Sequence, residues 1–215
     1  MLAYIKSKGY DVYALTFKYG QLSRQEVNTA LELTSVLGVI EHKVIDISFM
    51  RELYKGSNIL TDSSANIPSG FDYSIVVPIR NAVFITIATA YAFSINAGMV
   101  AYGAHRDDHN YPDCRVEFVS SIEHALNLAE IDGISRGLRE RVMIWSPAVD
   151  GLSKSALVSI GYRLLGDTIF KTWSCYTDGI IMDNELMQCG RCESCNNRKR
   201  AFSSAGIEDL TRYAS

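Results

Sequence analysis

Four of the five cysteines in this 215-residue chain, Cys175, Cys189, Cys192 and Cys195, lie within "CYTDGIIMDNELMQCGRCESC". Two C-x2-C steps share Cys192, which puts three thiols within one or two turns of chain. Cys175 can return to them across the intervening loop. Four thiolates around one ion are the closed tetrahedral set of a structural zinc site. An iron–sulfur cluster takes the same ligands. Four unbound thiols are the plainer alternative, disfavoured because exposed unpaired cysteines are reactive. Gly190 lets the backbone turn so that amides can point at sulfur. A closed site keeps no open coordination position, so one zinc here would hold the C-terminal segment rather than activate water. The chemistry must then lie elsewhere. Cys114, outside the cluster, reads as a small packing residue, with a pocket role as the alternative.

The rest of the chain resembles an ordinary cytoplasmic α/β domain. Apolar residues make up 47 % and formal net charge is −3, so nothing draws the whole molecule toward nucleic acid. The dense basic run is "NNRKR", with Arg198, Lys199 and Arg200. The apolar run at 82–93 is broken by Thr86 and Thr89 and is too short for a membrane span. Cysteines in a non-secreted chain argue for metal or redox chemistry over structural disulfides.

Strands are expected at 11–17, 42–47, 99–105 and 140–147, and helices at 23–38, 77–98, 115–131, 153–166 and around 195–203. Ser23 and Glu26 match a capping box for the first of these helices, and Gly38 its stop. Ser153 should cap another, and Pro78 suits a first-turn position. Residues 55–75 read as a long loop, an active-site lid in one reading. Alternation of this kind implies right-handed crossovers and a doubly wound, mostly parallel sheet. Ligands then bind beyond the C-terminal strand ends. The expected division is an α/β nucleotide-binding domain over 1–170 and a zinc-binding segment over 171–215.

Several stretches, in order, resemble the 7-cyano-7-deazaguanine (preQ0) synthase family of the PP-loop ATP pyrophosphatase group: "FKYGQLSRQEVNTA", "VPIRNAVFITIATAYA", "YPDCRVEF", "KSALVSIG" and "SCYTDG…CGRCESC". The resemblance implies an adenine-nucleotide α-hydrolase-like fold. It also implies conversion of 7-carboxy-7-deazaguanine and ammonia to the nitrile preQ0, for queuosine or archaeosine. ATP, with Mg2+, would activate the carboxylate, ammonia would give an amide, and a second activation would dehydrate it. Partners would be the small deazapurine, ATP and ammonia, with no direct nucleic-acid or membrane contact; a homodimer is admitted. The family's S-G-G-x-D-S phosphate loop does not occur in this sequence. "MLAYIKSKGYDVYAL" matches the region just downstream of it, which suggests a preceding strand, loop and helical turn of roughly 15–20 residues.

Within that frame each polar candidate has a role and a plainer alternative. Arg80 and Asn81 open a buried helix, where a cation is unfavourable. Arg80 therefore needs an anion: substrate carboxylate, phosphate, or merely a protein carboxylate. Tyr111, Asp113 and Arg115 offer a guanine-like base a face to stack on, an acceptor and a donor. The alternative is an Asp–Arg pair beside a packed tyrosine. Asp107 aligns with an acidic family position and joins Arg80 and Lys154 as a catalytic candidate, while Asp108 and His109 read as solvated. Lys154, at a helix start, suits a phosphate; Gln21 suits adenine or ribose, or is an exposed amide. His42, His105, His109 and His124 have no ligand spacing. Two other readings compete: a PP-loop tRNA-modifying enzyme, and a zinc-stabilised binding protein lacking the P-loop.

Overall fold

The computed structural model describes residues 1–62 and 66–215. Residues 63–65 of the expected 55–75 loop lie outside the described residues. The chain divides into two compact units. One is contiguous, Ile79–Lys154 together with Met1; the other is discontinuous, built from Leu2–Pro78 and Ser155–Ser215.

In chain order the elements are α1 (Leu2–Ser7), β1 (Tyr13–Lys18), α2 (Gln25–Leu37), β2 (Glu41–Asp46), α3 (Met50–Leu53), α4 (Arg80–Ile95), β3 (Met99–Ala101), α5 (Val116–Ala129), α6 (Ile131–Ser135), β4 (Met143–Trp145), α7 (Lys154–Leu165), β5 (Ile180–Met182), β6 (Glu185–Met187) and α8 (Glu193–Ser204). The α/β alternation expected from the sequence is present. The single doubly wound sheet is not: the described residues form three two-stranded sheets.

In the discontinuous unit β1 and β2 pair in parallel, Tyr13 opposite Glu41 through Lys18 opposite Asp46, with α2 as the crossover. Gly38 ends α2 in the left-handed conformation, as its position predicts. The start of α2 corrects the capping-box expectation. The N-cap is Arg24, without a side-chain cap bond, and Ser23 is buried with its hydroxyl unpartnered among the described residues. Asp178, far along the chain, accepts from Arg24 N–H at 2.5 Å and Arg24 Nε at 2.7 Å. A remote carboxylate thus holds the helix start, to which a negative charge is suited. Along α2, Val27 and Thr34 are buried while Leu31 is exposed. A second core joins Val158 of α7, Ile169, and Ala201 and Phe202 of α8.

The contiguous unit is built on β3 and β4, also parallel, with Met99 opposite Met143. Ile85 and Ala92 of α4, Val100, Val119 of α5, Val142 and Ile144 form its core. Beyond β3, the backbone around β4 is met by side chains of α5 rather than by a strand. Asn127 accepts from Val142 N–H at 2.9 Å and donates to its carbonyl at 2.8 Å, and Glu123 accepts from Ile144 N–H at 2.8 Å. Those side chains satisfy groups on the outer edge of β4 that another strand would pair.

The segment Tyr73–Ile95 is long and apolar enough, by length and composition, to cross a membrane. It is not one helix. A 3₁₀ turn over Tyr73–Ile75 is followed by Pro78 and by Ile79 at φ 49°, ψ 24°, and only then does α4 begin. Pro78 therefore precedes the helix instead of occupying its first turn.

Candidate functional site

The four cysteines meet. Their sulfurs all lie within 4.8 Å of one another, and each residue is buried. Cys189 and Cys195 Sγ are 3.9 Å apart, against about 3.8 Å for the edge of a tetrahedron with metal–sulfur bonds of ~2.3 Å. Amides point at sulfur: Thr177 and Cys189 N–H toward Cys175 Sγ at 3.5 Å, and Cys192 N–H toward Cys189 Sγ at 3.4 Å. Hydrogen bonds from the Cys192 and Cys195 thiols hold Cys175 far down as a thiolate. The same contacts push Cys192 up to about 11 and Cys195 higher still. A cation among the sulfurs would favour all four thiolates, so the set fits a metal ion.

Side chains that the sequence did not single out assemble this centre. Gln188, buried, accepts from Ser174 and Cys175 N–H at 3.1 Å and donates to Thr172 carbonyl at 3.0 Å. It thereby fixes Cys175 beside the knuckle. Trp173 Nε1 donates to Cys175 carbonyl at 3.0 Å. Gly190 has φ +75°, and a Cβ there would overlap the carbonyl oxygen of Ser215. The tail runs against the knuckle: Gln188 N–H donates to Arg212 carbonyl at 3.1 Å and Ala214 N–H to Gln188 carbonyl at 2.9 Å. Lys199 Nζ bonds the Gly190 and Ser215 carbonyls at 2.9 and 3.0 Å.

The other candidates gather mainly in the contiguous unit. Arg80 and Asn81 open α4 as expected. Asp113 Oδ2 accepts from Asn81 N–H at 2.9 Å, and its Oδ1 from Asn81 Nδ2 at 3.2 Å. Asn81 Nδ2 also reaches Cys114 Sγ at 3.3 Å, and Tyr102 O–H donates to Asp113 carbonyl at 3.1 Å. Burial, and then Asp108 and Asp113, push the Cys114 thiol up to about 12, with the positive charge of Arg80 opposing them. Burial likewise holds the Tyr102 hydroxyl above its ordinary range. Tyr111 is half-buried, and Arg115, exposed, donates to His109 carbonyl at 2.9 Å.

Asp107 and Lys154 also come together. Asp107 Oδ2 accepts from Lys154 N–H at 2.8 Å, so an aspartate from the β3–α5 connection meets the first turn of α7. Asp108 is more than a solvated loop residue: its Oδ2 accepts from His105 N–H at 3.0 Å and closes that turn. Gln21 belongs to the discontinuous unit. Its amide accepts from Tyr19 N–H at 2.9 Å and donates to Phe17 carbonyl at 3.1 Å, both in its own loop. Of the basic run, Arg198 is buried, Lys199 half-buried and Arg200 exposed.

Set beside known proteins, residues 1–206 match the family model described as queuosine biosynthesis protein QueC. The chain belongs to the QueC family. It is 39 % identical to the 7-cyano-7-deazaguanine synthase of Caldicellulosiruptor bescii, over 97 % of this chain and 89 % of that protein. The synthase of Pseudomonas fluorescens strain SBW25 is 38 % identical over 99 % of this chain and 92 % of its own length. That of Cupriavidus pinatubonensis is 33 % identical over 99 % and 91 %. QueC membership accords with the α/β elements and with a four-cysteine centre near the C-terminus, and it marks the chain as an enzyme.

Proposed function

We propose that the protein makes 7-cyano-7-deazaguanine from 7-carboxy-7-deazaguanine and ammonia at the expense of ATP, supplying queuosine biosynthesis. The observation that carries this reading is the QueC match along residues 1–206. ATP activates the carboxylate oxygen, with Mg2+ on its phosphates. Ammonia then displaces the activated oxygen to give the amide, and a second activation of the amide oxygen lets it leave as the nitrogen loses its protons. Arg80 holds the carboxylate or the phosphate that replaces it. A planar guanidinium suits either one through two parallel hydrogen bonds.

Tyr111 and Arg115 flank the deazapurine, with Asn81 toward its edge and Asp113 behind Asn81. Lys154 meets a phosphate, and Asp107 fixes the helix start that carries it. Gln21 serves the nucleotide through its loop. The metal is one structural zinc held by Cys175, Cys189, Cys192 and Cys195. Sulfurs this close suit a single ion better than an iron–sulfur cage, which must enclose several atoms. In this reading residues 1–170 carry the nucleotide chemistry and 171–215 the zinc. The enzyme works in the cytoplasm, as a monomer or homodimer, on free small molecules without nucleic acid or membrane.

The test is direct. Protein incubated with the acid, ATP and ammonium should yield the nitrile by mass spectrometry, with ATP consumed only when both co-substrates are present. Arg80→Lys should lower kcat by roughly 10- to 100-fold, since a two-pronged clamp becomes a point charge. ATP-independent product, or none from the unaltered protein, would overturn the reading.

A further inference from the structure

We propose that Asp113 is a positioning residue whose carboxylate holds the left-handed turn at Ile79 and thereby aims Arg80. The proposal rests on the synthase reading and deepens it. Ile79 sits at φ 49°, ψ 24°, a region that a β-branched side chain strongly disfavours. Such backbone persists only where its surroundings over-determine it. Packing of Ile79 itself does not do so, because the residue is 67 % exposed.

Two residues on, the Asp113 carboxylate takes both the backbone N–H and the side-chain amide of Asn81, at 2.9 and 3.2 Å. Asp113 is in turn held by Tyr102 O–H on its carbonyl at 3.1 Å, within the short turn Pro112–Cys114. Arg80 lies between the strained residue and the latched one. Its direction of departure from the backbone is therefore set by both. The positive charge of Arg80 acts on Cys114, the neighbour of Asp113, against the push of burial and of the nearby carboxylates.

A double-mutant cycle in the whole protein separates this role from direct contact with substrate. Glycine adopts the left-handed region freely, so Ile79→Gly should keep kcat/KM for the deazapurine acid within about twofold and raise Tm. Asp113→Ala alone should lower kcat/KM by about 30-fold, but by only about 3-fold when residue 79 is glycine, a tenfold coupling or about 1.4 kcal/mol. KM for ATP should hardly move. In an Arg80→Gln background, Asp113→Ala should add less than about threefold, because the group it positions is already gone. Equal losses with isoleucine and with glycine at position 79 would overturn the proposal and make Asp113 a direct contact. Should Asp113→Ala fold poorly, Asp113→Asn, which keeps one acceptor, carries the same cycle. Should the unaltered protein form no nitrile, the synthase reading falls by itself. The Tm cycle then decides the turn: coupling between positions 79 and 113 supports the latch, and strict additivity overturns it.

Discussion

Arg198 stands in the densest run of positive charge in the sequence, yet it is 4 % exposed. Its guanidinium donates to Thr172 Oγ1 at 2.6 Å, Thr211 Oγ1 at 2.7 Å and Ile169 carbonyl at 3.3 Å, lies 3.4 Å from Asp209 Oδ2, and stacks on Phe202. Lysine keeps the charge but cannot present donors in several directions from one plane. Arg198→Lys should therefore destabilise the fold by about 3 kcal/mol, read by urea unfolding, and leave the charge count unchanged. The cysteines were legible because their spacing along the chain is itself the ligand spacing. Arg198 was not, because its partners at Ile169 and Thr172 are more than twenty residues away and nothing local distinguishes a buried guanidinium from a solvated one.

Three elements meet at one imidazole. His42 of β2 lies between Thr16 Oγ1 of β1 at 2.8 Å and Thr34 Oγ1 of α2 at 2.7 Å. Burial lowers its pKa below the ordinary histidine value. The folded chain thus resists a proton that the unfolded chain accepts near pH ~6.5. This stability is complete above that pH and is lost as pH falls through it toward the depressed folded value. His42→Gln should melt lower than the unaltered protein at pH 7.5, with the gap narrowing by pH 5. A gap that stays constant between those pH values would mean that the ring does not titrate in this range. The helices α2, α4 and α5 were readable in sequence, and so was the Gly38 stop. The cap of α2 was not: Asp178 lies 154 residues from Arg24, and the Ser23–Glu26 pattern met the local rule although the N-cap is Arg24.

For the molecule as a whole, the metal should act as a local brace. Cys192→Ser, or treatment with a strong chelator, should cost roughly 3 kcal/mol or more, since bound metal contributes folding free energy. Hydrogen exchange should show where. Protection should be lost around 172–215, where Gln188, Trp173 and the tail depend on the cysteines, and kept in α4, β3 and α5. Uniform loss would mean that the two units melt as one. The alternation that reveals an α/β chain was visible from the order of its elements. The division into a contiguous and a discontinuous unit was not, because it depends on which distant segments touch.

That division also has a consequence in time. Ile79–Lys154 leave the ribosome as a continuous stretch and hold all of their own core. Leu2–Pro78 are made earlier, but Arg24, Pro68 and Ser69 find their partners at Asp178, Glu193 and Asn196. At ~5–20 residues per second, the first half of that unit waits about 4 to 15 s while the intervening stretch is translated. During that interval its apolar surface is open, so nascent-chain chaperones should engage residues 2–78 more than 79–154.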